Sequence, residues 1–214
     1  SFAQNKYNYK HFACDIADAE ASEELIDKCN EMFGRLNGVV HSAGVAGSGF
    51  LREKQFAEFE SVLNAKVCGT LNIIEYARAS KPDFILLCSA ITAFVPTSGQ
   101  SDYTTANLFL DSLAENLKLD GTKLLSVNFT AIKDAGMAHR FGVADDYLFK
   151  AMKSSEAAEQ ALNLLGSNIN NAILGEVNPE EKHFAMTPFA ISPNLLKIQA
   201  KPEQPQHEPK APPI

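Results

Sequence analysis

The sequence is poor in several things that would assign it a class at once. No apolar run approaches the ~18–20 residues that a membrane-spanning helix needs. The opening residues, SFAQNKYNYK, lack the apolar core of a secretory signal. Positive charge is short: 19 Lys and Arg against 26 Asp and Glu leave a net charge of −7. A dedicated nucleic-acid binder needs clustered cations for its phosphate contacts, so this balance argues against one. Cysteine occurs only at 14, 29, 68 and 88, with no CxxC pair, and the five histidines are scattered. Neither a metal site nor a disulfide framework is expected, and unpaired thiols suit a reducing, cytoplasmic compartment. Tryptophan is absent.

What remains is ordinary for a soluble globular chain. Of the 214 residues, 45% are hydrophobic and 21% charged, enough for one sizeable core. Five prolines fall at 202, 205, 209, 212 and 213 among Lys, Glu and Gln. Such a stretch favours extended, solvated chain, so residues 195–214 read as a linker or tail after a domain at 1–194. That domain alternates between two periodicities. Short apolar runs at 10–14, 38–41, 84–88, 124–129 and 171–174 read as strands. Amphipathic stretches at 18–33, 53–79, 101–119 and 155–165 read as helices. Alternation of this kind predicts an α/β fold, a parallel sheet with helices on both faces. Ligands then bind beyond the carboxyl ends of the strands, just after His41, Cys88 and Phe129.

Two of those places hold chemistry. After His41 comes a glycine run, Gly44, Gly47 and Gly49, in the order G-x-x-G-x-G. This is neither the dinucleotide fingerprint nor a P-loop, and by itself it reads as a strand-to-helix turn. After the 84–88 strand, Tyr103 and Asn107 lie one helical turn apart near the start of a helix. Such a pair can present a phenol to a ligand, although a structural hydrogen bond is the commoner use of that spacing.

The segments HSAGV, NAKVCGTLN, FILLCSA, GQSDYTTANLFLDSLA, VNF and AGMA, taken together and in order, resemble the ketoreductase domain of polyketide synthases, a short-chain dehydrogenase/reductase. The similarity runs from about Tyr9 to Glu176. Its most specific stretch is Gly-Gln-x-x-Tyr-x-x-x-Asn-x-x-x-Asp, in which asparagine stands where free-standing members carry lysine. The lysine of that family lies upstream on the long helix, where Lys66 falls.

The resemblance implies a partial Rossmann-type, doubly wound sheet and NADPH-dependent reduction of a β-ketoacyl chain. The substrate would be carried on the phosphopantetheine of an acyl carrier protein, within a larger synthase whose other domains are partners. Tyr103 would donate the proton. Lys66 would lower the tyrosine pKa by its charge, and Asn107 would hold the lysine or a relay water. Asp15 would contact the adenine, Ala43 and Gly44 would line the cofactor, and Asn128 would lie near the nicotinamide carboxamide.

The sequence departs from the family twice. The second of two consecutive serines, which bonds the substrate carbonyl, is Ala90 here, and Ser89 fills the first position. One oxyanion donor is worth about 10²–10³ in rate. Ser89 is therefore a candidate substitute, although neighbouring strand residues face opposite ways. Further, residues 1–10 supply no glycine-rich β-α-β unit of the kind that binds pyrophosphate. This implies a truncated domain that binds NADPH poorly alone. It also implies a strand at 10–14 that either pairs with 38–41 or stays loosely attached. A non-catalytic remnant or structural module is the alternative to an enzyme part. A free-standing reductase is disfavoured by the Tyr-x-x-x-Asn pattern. The Leu-Asp-Asp and tryptophan markers of product stereochemistry are both missing.

Overall fold

The computed structural model describes residues 7–47, 49–142 and 148–178. The proline-rich stretch 195–214 lies outside them. Helix α1 (Ala19–Phe33) starts at Asp18, whose carboxylate accepts the Ala21 N–H at 2.9 Å. Strand β1 (Gly38–His41) follows. The long helix expected at 53–79 is present but not uniform. It runs as α2 (Phe56–Leu63), a π-helical turn (Asn64–Cys68), α3 (Gly69–Ala77) and a closing 3-10 turn (Arg78–Ser80). Strand β2 (Phe84–Ala90) extends two residues past the expected end. Then come α4 (Ser101–Asn116), β3 (Lys123–Phe129), the short α5 (Gly136–Arg140), β4 (Phe149–Lys150), α6 (Ser154–Leu165), β5 (Asn171–Leu174) and β6 (Glu176–Val177).

Four strands form one sheet in the order β1-β2-β3-β5, and every pairing is parallel. Their carboxyl ends therefore share one edge. A separate antiparallel pair joins β4 to β6. Because β2 and β3 are apolar on both sides, each face of the sheet carries its own core. Ile85, Leu87 and Leu124 pack with Ile73 and Ile74 of α3 and with Leu110 and Ala114 of α4. Leu86, Leu125 and Val127 pack with Ala157 and Ala161 of α6 and with Met152. A fully buried side chain of this size contributes roughly 1.5–3 kcal/mol, so these two layers supply most of the driving force.

The expected strand at 10–14 does not form. Lys10, His11, Ala13 and Cys14 are exposed. The chain is instead fastened just beyond them. The Ile16 carbonyl accepts from Ser22 Oγ (2.9 Å) and from Asn72 Nδ2 (3.0 Å), which pins the turn to α1 and α3 rather than to β1. Among the described residues β1 pairs only with β2, and Val40 on it is 56% exposed. No described helix is long and apolar enough to cross a membrane.

Candidate active site

The π turn decides where Lys66 points. A turn with an extra residue rotates the helix against its own axis, and such turns concentrate at functional sites. Lys66 is 3% exposed, and its ammonium donates to the Cys88 carbonyl of β2 at 2.7 Å. The same Nζ lies 5.6 Å from the centroid of the Tyr103 ring, within cation–π range. Burial pulls the Lys66 pKa down to about 8, partly offset by Cys88 and Asp111. The half-buried Tyr103 comes from the first turn of α4. Burial pushes its phenol above the ordinary value, and the Asn107 side chain pulls it partly back. The net direction is opposite to the lowering expected from Lys66: burial of the phenol outweighs a cation that sits over the ring face and bonds a carbonyl.

Asn107 is fully buried one turn further along α4. Its Nδ2 donates to the Tyr103 carbonyl at 2.8 Å, and its Oδ1 has no protein partner. A buried acceptor left open beside a phenol and an ammonium suits a bound water or the relay expected of it.

Ser89 and Asn128 are committed to the protein. Ser89 Oγ donates to Asn128 Oδ1 at 2.9 Å, and Asn128 Nδ2 donates to Asp111 Oδ1 (3.1 Å) and Asn171 Oδ1 (2.8 Å). Ser126 Oγ adds a 2.6 Å bond to the same Asp111 oxygen. Asp111 is the aspartate that ends the Tyr-x-x-x-Asn-x-x-x-Asp run, and this network is what it does: it fastens α4 to β3. Burial raises its carboxyl pKa against the pull of those donors.

The remaining candidates lie along the loop and turn after the strands. Ala43 is exposed and Gly44 half-buried, and a Cβ on Gly44 would come within 3.1 Å of Lys66 Cε. The loop after β1 thus lies against the lysine stem. Asp15 is exposed at the turn into α1, where its carboxylate accepts the Ala17 N–H at 3.0 Å.

Two features escaped the sequence reading. Lys54 and Asp102, each 1% exposed at the side chain, form a buried ion pair that ties the loop to the start of α4. Gly47 is packed on that carboxylate so closely that a Cβ would sit 2.2 Å from Asp102 Oδ1. An aspartate next to the key tyrosine was the only sequence signal. The second is His41, 3% exposed, which burial and the neighbouring Lys66 hold down at a pKa of about 4. The unfolded chain, with a histidine value of 6.5, binds more protons between those values, so stability falls as pH drops from about 6.5 to about 4. Unfolding at pH 7 and pH 4 is expected to show His41→Asn losing about 3 kcal/mol less than the unaltered chain over that window. Equal acid losses would show that His41 does not titrate this way.

The residues suit the nicotinamide end of a dinucleotide better than its phosphates. A phenol, an ammonium and an open loop meet at the strand ends, whereas the starts of α1 and α6 are occupied by protein carboxylates, Asp18 and Asp134.

Parallel strands that present a tyrosine and a lysine at their carboxyl ends define a reductase fold of the short-chain dehydrogenase type. More narrowly, the chain belongs to the KR domain family, the ketoreductase domain of polyketide synthases, which matches residues 1–134. It is 36% identical over 123 residues to the reducing polyketide synthase PKS2 of Cochliobolus heterostrophus, covering 58% of this chain and 6% of that protein. It is 32% identical over 162 residues to the phenolphthiocerol synthesis polyketide synthase type I Pks15/1 of Mycobacterium marinum, covering 74% of this chain and 8% of that protein. The chain thus spans less than a tenth of these relatives. A solved A1-type ketoreductase aligns with a TM-score of 0.72 at 28% identity, over 84% of this chain and 39% of that one. A short-chain dehydrogenase from Streptomyces avermitilis shares the fold alone, with a TM-score of 0.67 at 18% identity, over 81% of this chain and 73% of that one.

Proposed function

We propose that this chain performs NADPH-dependent reduction of a β-ketoacyl group to the β-hydroxyacyl, on a chain held by the phosphopantetheine of an acyl carrier protein within a polyketide synthase. The observation that carries this reading is the Tyr103–Lys66 pair, with the ammonium 5.6 Å from the ring centre at the sheet's carboxyl edge. NADPH, when bound, supplies the hydride. Tyr103 donates its phenolic proton to the ketone oxygen, and its raised pKa keeps that proton in place at neutral pH. Asn107 Oδ1 holds the water through which the phenol is reprotonated, and Lys66 offsets the charge that develops on the phenolate. Ala43 and Gly44, on the loop that lies against the Lys66 stem, would line the nicotinamide end. Free thiols and the acidic balance suit a cytoplasmic setting.

A second reading, a non-catalytic remnant, is favoured by one observation: Ser89 is spent on Asn128, so Ala90 leaves the oxyanion one donor short. NADPH oxidation with a β-ketoacyl thioester separates the two. Under the first reading, Ala90→Ser is expected to raise kcat toward the ~10²–10³ that such a donor is worth. No turnover in either protein would favour the remnant.

A further inference from the structure

We infer that Lys54 and Asp102 are positioning residues: their ion pair joins the starts of the two helices that carry Lys66 and Tyr103, and so sets the phenol against the ammonium. This rests on the reductase reading for the task of those two groups and goes beyond it in assigning the ion pair to the geometry of the site.

Lys54 stands directly ahead of Gln55, the N-cap of α2, and α2 continues through the π turn to Lys66. The backbone of Lys54 is held in a closed turn, its N–H bonding the Phe50 carbonyl at 3.1 Å. Asp102 is the second residue of α4, directly before Tyr103. Its Oδ1 accepts the Tyr103 N–H at 2.9 Å, one of the donors that a helix start leaves without an intrahelical partner. Its Oδ2 accepts from the Lys54 ammonium. One carboxylate therefore bonds the backbone of the tyrosine on one side and the approach to the lysine helix on the other.

The two helices pack against each other, but apolar burial is thin where they start. In the first turn of α2, Phe56, Ala57 and Glu58 are exposed and Phe59 is half-buried, and the buried residue of that helix, Val62, lies near its far end. In the first turn of α4, Ser101 is exposed, and Tyr103 and Thr104 are half-buried, which leaves Asp102 as the buried member. Apolar contact has no preferred direction, so it does little to fix one start against the other. The ion pair does fix it, because a slide that parts the charges strands both of them out of water.

The loop after β1 follows the same path. A Cβ on Gly44 would come within 3.1 Å of Lys66 Cε, one on Gly47 would collide with Asp102 Oδ1, and one on Gly99, just ahead of α4, would come within 3.5 Å of the Gly49 backbone nitrogen. The chain thus passes the lysine stem, then the carboxylate, then the entry to α4, before Lys54 closes on Asp102.

The double variant Lys54→Met/Asp102→Asn tests this, since it removes the ion pair, carries no buried charge and keeps an acceptor for the Tyr103 N–H. The first readout is amide hydrogen exchange without substrate. The Tyr103 and Thr104 N–H groups are expected to exchange about tenfold faster or more, while those of Leu87 and Leu125 in the core strands stay unchanged. The second readout is turnover of a β-ketoacyl thioester at saturating NADPH. There kcat is expected to fall about tenfold or more with KM little changed, because a displacement of about 1 Å at reacting groups costs up to about 10²-fold. A pair that served the fold alone would leave kcat within about threefold in a double variant of recovered stability, and that result overturns the proposal. Unchanged exchange at Tyr103 and Thr104, or faster exchange shared equally by the core strands, overturns it as well. Gly47→Ala decides if the double variant does not fold. It keeps both charges but drives a methyl into the place of Asp102 Oδ1, and it is expected to give the same local exchange and the same fall in kcat. Fast exchange confined to the first turn of α4, in a chain whose unaltered form shows no turnover, supports the joint between the helices and overturns the reductase reading instead.

Discussion

Replacing Tyr103 with Phe is expected to cut the rate of NADPH-dependent β-ketoacyl reduction by about 10²–10⁴, the usual worth of a positioned general acid. The substitution is conservative for everything except the proton. Phe keeps the ring face toward Lys66, and the backbone bonds of residue 103, to Asp102 and Asn107, do not involve the hydroxyl. Thermal stability and KM should therefore change little while kcat falls. The pH dependence carries a sign as well. Reduction needs the phenol protonated, and burial holds its pKa above the ordinary value, so the limb due to Tyr103 belongs on the far alkaline side. A separate loss near pH 8 is expected as the Lys66 ammonium gives up its proton. A Phe variant that turns over within about threefold of the unaltered protein would remove Tyr103 from the chemistry.

Lys54→Met is expected to cost about 3–5 kcal/mol in urea unfolding, the usual penalty for stripping one partner from a buried ion pair. Both side chains are almost wholly out of solvent, so the orphaned Asp102 carboxylate has no water to turn to. Gly47 closes over it from the loop side, which blocks an easy rearrangement. The double variant Lys54→Met/Asp102→Asn should recover most of the loss. It carries no buried charge, and the amide oxygen can still accept the Tyr103 N–H that Asp102 Oδ1 accepts now. A single variant less than about 1 kcal/mol below the unaltered chain would mean that the pair is effectively solvated.

The sequence was most legible where periodicity and apolar runs agree. The limits of β1 and β5 fell where the pattern put them, and α1, α4 and α6 differed by a few residues at their ends. The 10–14 segment failed because a short apolar run is a strand only if a neighbour takes its hydrogen bonds, and here the anchoring goes through Ile16 to Asn72. The π turn was invisible because helical spacing of Phe56, Phe59, Leu63 and Val67 does not register one extra residue per turn. Within the site, the motif order brought Lys66, Tyr103 and Asn107 to one place. What motif order did not carry was direction. Ser89 and Asn128 look inward to Asp111, and that follows from strand alternation only once the helix that covers them is known. Lys54 and Asp102 stand 48 residues apart, too far for any local pattern to couple them.

The polar web around Asp111 also acts as a gauge of alignment. On the α4 side of β3, Leu124, Ser126 and Asn128 follow one another, and only the last two offer donors. A slip of β3 by two residues toward its carboxyl end would keep the apolar and polar sides in place, so the hydrophobic pattern alone cannot forbid it. It would, however, bring Leu124 to the level of Ser126 and leave the buried carboxylate one donor poorer. The native alignment is the one that gives Asp111 Oδ1 both of its β3 donors. A mispaired sheet would thus be penalised at the buried carboxylate one helical turn beyond Asn107.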